Sequence, residues 1–511
     1  MLGRAYSCAL CGIDSVRVEI EAQINGALKR FTMVGMPDSV LKEARDRVRC
    51  AFENSGLSFP GGDIVINLAP AAMPKSGSGF DLAIALSILS AIGKVNPVTL
   101  QRKLVLGELA LDGTVKPARG VLAAACLVKD IGDVELLVAS DSINEACLVD
   151  GIVVRPIRSL IEAVSFLNGQ LDIQPGTRGA TSQSAEIIPA FGDVVGQNTA
   201  KRAMEIAAAG GHNMLMIGPP GAGKSMLAER IRSILPPLEA EEQIEVSKIY
   251  AAHSEGAISN GARQRFSRGL ITRRPFRAPH HSTSTAGLIG GGTHPLPGEI
   301  SLAHRGVLFL DEVTEMKREA LEALRQPLES KYVTISRAKL RLRFPSDFIL
   351  LAAMNPCPCG HRNLAGQNCN CPPWAVTKYR AKISGPISDR IDLQIWIHPV
   401  PLGDLRCAPA HDPTADMRER VAAALACQRS RMKGPRNRNS LMTPKEVREY
   451  CELDAESQGI LEKACDKHKL SARAYTRVLK VSRTVADLDG SERIRAPHVC
   501  ETLKYRIEAM E

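Results

Sequence analysis

The octapeptide Gly218-Pro219-Pro220-Gly221-Ala222-Gly223-Lys224-Ser225 constrains this chain more than any other stretch of it. It satisfies GxxxxGK[ST] without a gap, follows the apolar run Met214-Leu215-Met216-Ile217 and precedes Met226-Leu227-Ala228-Glu229-Arg230. A buried strand, a glycine-rich turn and a helix start, in that order, are the context in which the pattern carries chemistry. The glycines let backbone N–H groups turn inward around phosphate oxygens, and the helix N-terminus adds a favourable dipole. In that arrangement Lys224 reaches the β- and γ-phosphates of a nucleotide and the Ser225 hydroxyl ligates Mg2+. ATP and Mg2+ are therefore the expected ligands of an α/β domain built around this element.

Two more apolar runs end in polar side chains. Val307-Leu308-Phe309-Leu310 leads into Asp311 and Glu312. At the end of a buried strand, Asp311 is suited to hold magnesium through water and Glu312 to polarise the attacking water. Phe348-Ile349-Leu350-Leu351-Ala352-Ala353-Met354 leads into Asn355, whose amide suits the lytic water or the γ-phosphate. Farther on, Arg390 stands in Ser388-Asp389-Arg390-Ile391-Asp392, just before another strand. An arginine there either reaches a neighbouring subunit's γ-phosphate and stabilises transition-state charge, or forms a local salt bridge with Asp389 or Asp392.

With 511 residues the chain exceeds one compact core, and roughly two to four domains are expected. A hydrophobic share of 44% against 23% charged excludes wholesale disorder. The net charge of +10 points to an anionic partner, nucleic acid first, or to a generic basic surface. No charged run followed by a long apolar core opens the chain, and the longest apolar stretch, Leu82 to Ile92, reads as a buried helix rather than a membrane span. Fourteen cysteines without a secretion signal point to a reducing compartment, so the expected location is cytoplasmic.

Composition separates several regions. Residues 1–168 read as a mixed α/β domain, with strands at Val16 to Ile20 and Ile64 to Leu68 and a helix from Asp81 to Ala91. Residues 169–188 are polar, glycine-rich and non-periodic, as a flexible linker would be. The second α/β region, 189–400, carries the motifs above, and 401–511 reads as all-α, with a loop in the basic segment Arg429 to Arg438. An insertion over roughly 250–300 holds His280 and His281. No thiol or carboxylate stands at supporting spacing for a metal, so a projecting loop is the better reading. Val333 to Phe344 alternates apolar and polar residues around a central turn and reads as a β-hairpin.

Cys357-Pro358-Cys359 and Cys369-Asn370-Cys371 form CxCx9CxC. Four soft ligands in two pairs suit a structural tetrahedral zinc; the alternative is a cysteine-rich loop without metal.

Taken in order, the motifs at 218–225, 307–312, Asn355 and Arg390 resemble the Walker A, Walker B, sensor 1 and arginine finger of AAA+ ATPases. Asp193-Val194-Val195-Gly196-Gln197 resembles the segment that packs on adenine there, which implies that role for Gly196 and Gln197. Leu470 to Arg477 resembles a sensor 2 helix in a helical lid, with Arg473 as the phosphate contact and Arg477 as the alternative. Phe276-Arg277-Ala278-Pro279-His280-His281, Asn355-Pro356-Cys357-Pro358-Cys359-Gly360 and Ser384 to Leu393 resemble the magnesium-chelatase-like AAA+ proteins of the ComM/YifB family, over essentially the whole chain. That resemblance implies a homohexameric motor promoting branch migration of DNA in homologous recombination during natural transformation, alongside recombination proteins. The hairpin resembles the pre-sensor-1 hairpin of AAA+ helicases, which implies that Arg337 and Lys339 line a pore and meet a phosphate backbone.

Asn67 to Leu82 and Leu106 to Val115 resemble the Lon protease (S5 domain 2-like) fold, with the serine position on Gly79 and the lysine position on Leu122. Lacking both groups, the N-terminal domain is expected to be an inactive scaffold. Two other classes remain. One is a metal-chelatase motor subunit, expected to lack the long Lon-like domain; the other is a protein-remodelling ATPase, expected to carry an aromatic pore loop.

Overall fold

Strict alternation in β2 (Asp14–Asn25) buries Val18, Ile20 and Ala22 and turns their neighbours outward, the period of a strand with one covered face. It belongs to the first of two compact units in the computed structural model of this chain: Met1–Ser184 with Gln243–Ile271, and Ala185–Glu242 with Thr272–Glu511. The described residues are all but 1, 27–29, 74, 76, 179–187, 257–269, 293–294, 338–339, 363–367, 384, 402–410, 433, 435–436 and 508–511.

In the first unit, β1 (Leu2–Cys11) pairs antiparallel with β2 across a turn at Gly12, whose φ of 73° favours glycine. The remaining strands are β3 (Arg30–Val34), β4 (Asp63–Ala69), β5 (Lys103–Leu106), the two-residue hairpin β6 (Glu108–Leu109) and β7 (Val115–Lys116), β8 (Glu135–Ala139) and β9 (Val154–Ile157). Seven of them form one mixed sheet in the order β3-β4-β2-β1-β5-β8-β9. The helix Asp81–Ala91 is buried at every position. The Asp81 carboxylate inside it accepts two bonds from Arg47, at 2.7 and 3.0 Å. Gly79 accepts a backbone bond from Gly107, Leu122 is buried, and Ser78 Oγ donates to Glu108 Oε2 at 2.6 Å.

Two departures from the sequence reading concern this unit. The stretch read as a flexible linker is anchored in its first part: Ile173 is buried in the core, and the Gly176 N–H donates to Val154 O. Residues 179–187 of that stretch lie outside the described residues. The expected projecting loop of the second region is also divided, because Gln243–Ile271 belongs to the first unit. Ile244 and Leu270 pack there with Leu104, Val121 and Leu136, and Lys248 pairs with Asp14. Apolar side chains of an insertion are covered by whichever core lies within reach.

The second unit contains β10 (Met214–Ile217), β11 (Phe276–Arg277), the short pair β12 (Gly290–Gly291) and β13 (Leu296–Pro297), β14 (Val307–Leu310), the hairpin β15 (Tyr332–Arg337) and β16 (Leu340–Pro345), β17 (Ile349–Met354) and β18 (Leu393–Trp396). Five form a parallel sheet ordered β11-β14-β17-β10-β18. β10, β14 and β17 are buried at every residue, as strands covered on both faces must be. The chain crosses to one side of β10 for three strands and returns to its other side for β18. Such a switch opens a crevice at the carboxyl ends of the strands.

The C-terminal helices pack onto the core of the parallel sheet. Met417, Val421 and Ala424 of the helix Thr414–Arg431 and Val485 of Ala472–Leu488 share one core with Met214, Leu351 and Leu393. Gln428 Nε2 donates to Ala209 O at 3.1 Å, and Arg202 pairs with Glu501 at 2.9 Å. Met442, Val447, Leu461 and Val499 form a second, smaller cluster. The basic segment also starts later as a loop than its composition suggests: Arg429 and Arg431 are still helical, and Arg431 pairs with Asp487.

Candidate functional site

β10 runs directly into the glycine-rich loop, which closes back on its own sheet. The Gly218 N–H donates to Met354 O at 3.2 Å, and a Cβ at Gly218 would stand 2.5 Å from Ile397 O. Gly221 and Gly223 hold φ of 76° and 87°, and Gly223 caps the helix Lys224–Ile234. Gly218→Ala is therefore expected to destabilise this unit by about 1–3 kcal/mol through overpacking. Both tryptophans, Trp374 and Trp396, lie in this unit, so fluorescence-monitored urea unfolding measures the loss.

The sheet order brings the separate motifs together. Lys224 is almost wholly buried, and its Nζ donates to Gly218 O (2.7 Å), Pro219 O (2.9 Å) and Asn355 Oδ1 (3.2 Å). Burial lowers its pKa, against the opposing pull of Asp311 and Glu312. Ser225 Oγ donates to Asp311 Oδ2 at 2.6 Å, and the Glu312 N–H donates to Asp311 Oδ1 at 2.9 Å. Glu312 sits in the left-handed region, φ 47° and ψ 45°, a strained backbone for a residue with a Cβ. A buried ammonium, a hydroxyl facing a carboxylate, and a helix N-terminus behind glycines form a donor set that fits a magnesium nucleotide. Nothing lies within 4 Å of the position a Cβ would take on Gly221, so the loop faces open space there.

The two histidines of the insertion are placed by this site. His281 Nδ1 stands 3.4 Å from Glu312 Oε2, the rings of His280 and His281 lie 4.0 Å apart, and His280 Nδ1 meets Ser282 Oγ at 2.8 Å. The sequence signal that could have found His281 was its phrase rather than its spacing: it lies within the insertion, and the pairing of β11 with β14 returns it to Glu312.

Gly196 and Gln197 line a cavity of about 310 Å³ together with Thr199, Trp396, His398 and Tyr505. Gln197 Nε2 donates to His398 O at 2.6 Å. Arg390 pairs with Glu329, 61 residues away in sequence. Arg473 is exposed on the first turn of its helix, while Arg477 is half-buried, donating to Ile391 O at 3.3 Å and facing Asp392 at 3.6 Å. The hairpin is present as β15 and β16, with Arg337 opposite Leu340. Lys339 and the Arg337 side chain lie outside the described residues.

A buried network behind Arg390 had no sequence signal. The Asp392 carboxylate accepts from the His212 ring and from Asn213 N, each at 3.3 Å, and His212 Nε2 meets Thr484 Oγ1 at 2.8 Å. Asn213 Nδ2 donates to Arg390 O at 2.9 Å, and its Oδ1 accepts from Leu350 N at 2.9 Å. Burial raises the Asp392 pKa, but the His212 hydrogen bond and charge, Arg477 and the Asn213 N–H outweigh it and hold it down to about 2.

Cys357, Cys359, Cys369 and Cys371 bring their sulfurs within 4.8 Å of one another. Among the described residues they are the one cluster of three or more such side chains, and the two histidines are not part of it. No helix among the described residues is long and apolar enough to cross a membrane.

Three family models match the chain. The one described as magnesium chelatase, subunit ChlI, covers residues 190–405; subunit ChlI of Mg-chelatase covers 20–142; and the magnesium chelatase subunit ChlI C-terminal model covers 411–506. Over 510 residues the chain is 41% identical to the competence protein ComM of Haemophilus influenzae, spanning 99% of this chain and 97% of that one. Over 507 residues it is 39% identical to the uncharacterized protein YifB of Escherichia coli, spanning 99% and 97%.

Proposed function

This chain belongs to the ComM/YifB family of magnesium-chelatase-like AAA+ proteins, and from that membership we propose that it hydrolyses Mg-ATP within a homohexameric ring and uses the hydrolysis to move DNA. The observation that carries the ATPase reading is the convergence of Lys224 on Asn355 and of Ser225 on Asp311 at the end of one parallel sheet. Ser225 and, through water, Asp311 would hold Mg2+, which would supply charge neutralisation on the phosphate oxygens. Lys224 exchanges its carbonyl partners for the β- and γ-phosphates, and Gly218 to Gly223 present backbone N–H groups to them. Glu312 takes the proton of the attacking water, with His281 orienting its carboxylate and Asn355 positioning the water. Gly196 and Gln197 pack on adenine.

Arg390 leaves Glu329 for the γ-phosphate of the neighbouring subunit, with Arg473, or Arg477 behind it, as a further phosphate ligand. A closed ring satisfies such head-to-tail packing without open ends. Six hairpins carrying Arg337 and Lys339 line the pore, where a phosphate backbone is the complementary ligand. The N-terminal unit is an inactive Lon-like scaffold. The name of the relative ComM, a competence protein, supports assigning this work to branch migration in homologous recombination of incoming DNA, in the cytoplasm beside recombination proteins.

A metal-chelatase subunit is the second reading, favoured by the ChlI descriptions of all three family models. DNA dependence separates the two readings. Steady-state ATP hydrolysis is expected to rise with single-stranded or forked DNA, and Arg337→Ala/Lys339→Ala to weaken that rise. Each phosphate that the variant no longer neutralises flattens the salt dependence of single-strand binding by a slope of about 0.7. Hydrolysis indifferent to every DNA tested would sink the motor reading and leave the chelatase and protein-remodelling classes.

A further inference from the structure

The cysteine loop lies against the phosphate-binding loop. Gly360 directly follows Cys359, and a Cβ there would stand 2.7 Å from Pro220 Cδ and 3.0 Å from Cγ, so this backbone rests on the second proline of the P-loop. Its φ of 81° is one that glycine tolerates. The same short segment supplies Met354 O to the Gly218 N–H and Asn355 Oδ1 to Lys224. On the far side of the cluster, the helix Pro373–Arg380 begins two residues after Cys371. Its Tyr379 hydroxyl meets Thr314 Oγ1 at 2.7 Å, just beyond Asp311 and Glu312.

The sulfurs themselves are set as a metal site. Cys357 Sγ lies 3.3 Å from Cys359 Sγ and 3.6 Å from Cys369 Sγ, and Cys359 lies 3.6 Å from Cys369. Tetrahedral zinc with Zn–S bonds of about 2.3 Å separates its sulfurs by about 3.8 Å, so little movement is needed to close around an ion. The thiols are free rather than bridged. The Gly360 N–H donates to the Cys357 carbonyl at 3.0 Å, closing the turn that holds Cys357 and Cys359 side by side. A loop without metal has no reason to gather four sulfurs within 4.8 Å of one another.

We propose that these four thiolates bind one soft divalent cation, zinc by its preference for a closed tetrahedral sulfur site, and that the bound ion braces Gly360 against Pro220 and so holds the P-loop in its nucleotide-binding shape. The brace rests on the reading of Gly218 to Ser225 as the ATP site; the metal assignment does not.

The test uses the full chain purified under reducing conditions without chelator. Elemental analysis is expected to find one zinc per chain, released on titration with a mercurial. Cobalt substitution is expected to give the intense visible bands of tetrahedral thiolate coordination. Chelator removal of zinc, with circular dichroism to follow the fold, is expected to weaken binding of an N-methylanthraniloyl ATP analogue by about 10–100-fold, the size of a lost supporting shell, and zinc re-addition to restore it. Gly360→Ala, which keeps all four thiols, is expected to retain zinc and still bind the analogue more weakly. Reduced protein that takes up neither zinc nor cobalt would overturn the site. Unchanged analogue affinity in both the metal-free chain and Gly360→Ala would overturn the brace. An untreated chain that binds no analogue would overturn the ATP reading and the brace with it, while the zinc count would still decide the metal assignment.

Discussion

Glu312→Gln is expected to bind Mg-ATP about as tightly as the native chain and to hydrolyse it about 10²–10⁴-fold more slowly, the usual contribution of a positioned general base. The substitution keeps the size of the side chain and its hydrogen-bonding reach while removing the proton acceptor. Lys224, Ser225 and Asp311, which meet the phosphates and magnesium in the proposed mechanism, retain their partners Asn355 and one another. The strained left-handed backbone at Glu312 is a second reason to expect a role in chemistry rather than packing, since the exposed side chain gains little from burial to offset it. Single-turnover hydrolysis set beside equilibrium binding of a fluorescent ATP analogue separates the two effects. A variant that hydrolyses at the native rate would place the base elsewhere, and one that fails to bind would make Glu312 a nucleotide ligand instead.

Asp392→Ala is expected to cost about 2–4 kcal/mol, somewhat under the penalty for removing one partner of a fully buried charged pair, because Asp392 and Arg477 keep some exposure while His212 is wholly buried. It would leave the His212 ring without its acceptor and Arg477 facing a cavity, at the point where β10 begins and where Asn213 holds the Arg390 carbonyl. Urea unfolding followed by the fluorescence of Trp374 and Trp396 measures it. The pH dependence identifies the cause. With its folded pKa held down to about 2, below the ordinary carboxylate value near 4, Asp392 contributes stability that is present above about pH 4 and is lost as pH falls towards 2. The stability difference between the native chain and Asp392→Asn should therefore narrow across that window. A difference that stays constant with pH would mean that packing, not charge, is what the aspartate supplies.

Much of the site was legible because its chemistry is carried by short stretches. Apolar runs ending in Asp311-Glu312 and Asn355, and the octapeptide at 218–225, each hold their meaning within a few residues, since a strand and the turn after it place side chains by backbone geometry alone. The strand from Ile64 to Leu68 and the helix from Asp81 to Ala91 were readable from alternation and from an apolar run of helical length. The linker was misread in part because Ile173 and Gly176, unremarkable in a polar stretch, find Val154 and the core. The division of the insertion between the two units had no local signal at all.

By itself the sequence determined the inventory of this protein: a glycine-rich loop between a strand and a helix, two strand-end polar clusters, an arginine before a strand, and four cysteines in two pairs. Tertiary structure alone decided who meets whom. The order β11-β14-β17-β10-β18 brings Lys224 to Asn355 and Ser225 to Asp311. It also allows Arg390 to find Glu329, 61 residues away, and His212 to find Thr484, 272 residues away. Such pairs carry no periodicity and no shared motif, because each forms only after the packing of apolar faces has fixed the positions of both backbones.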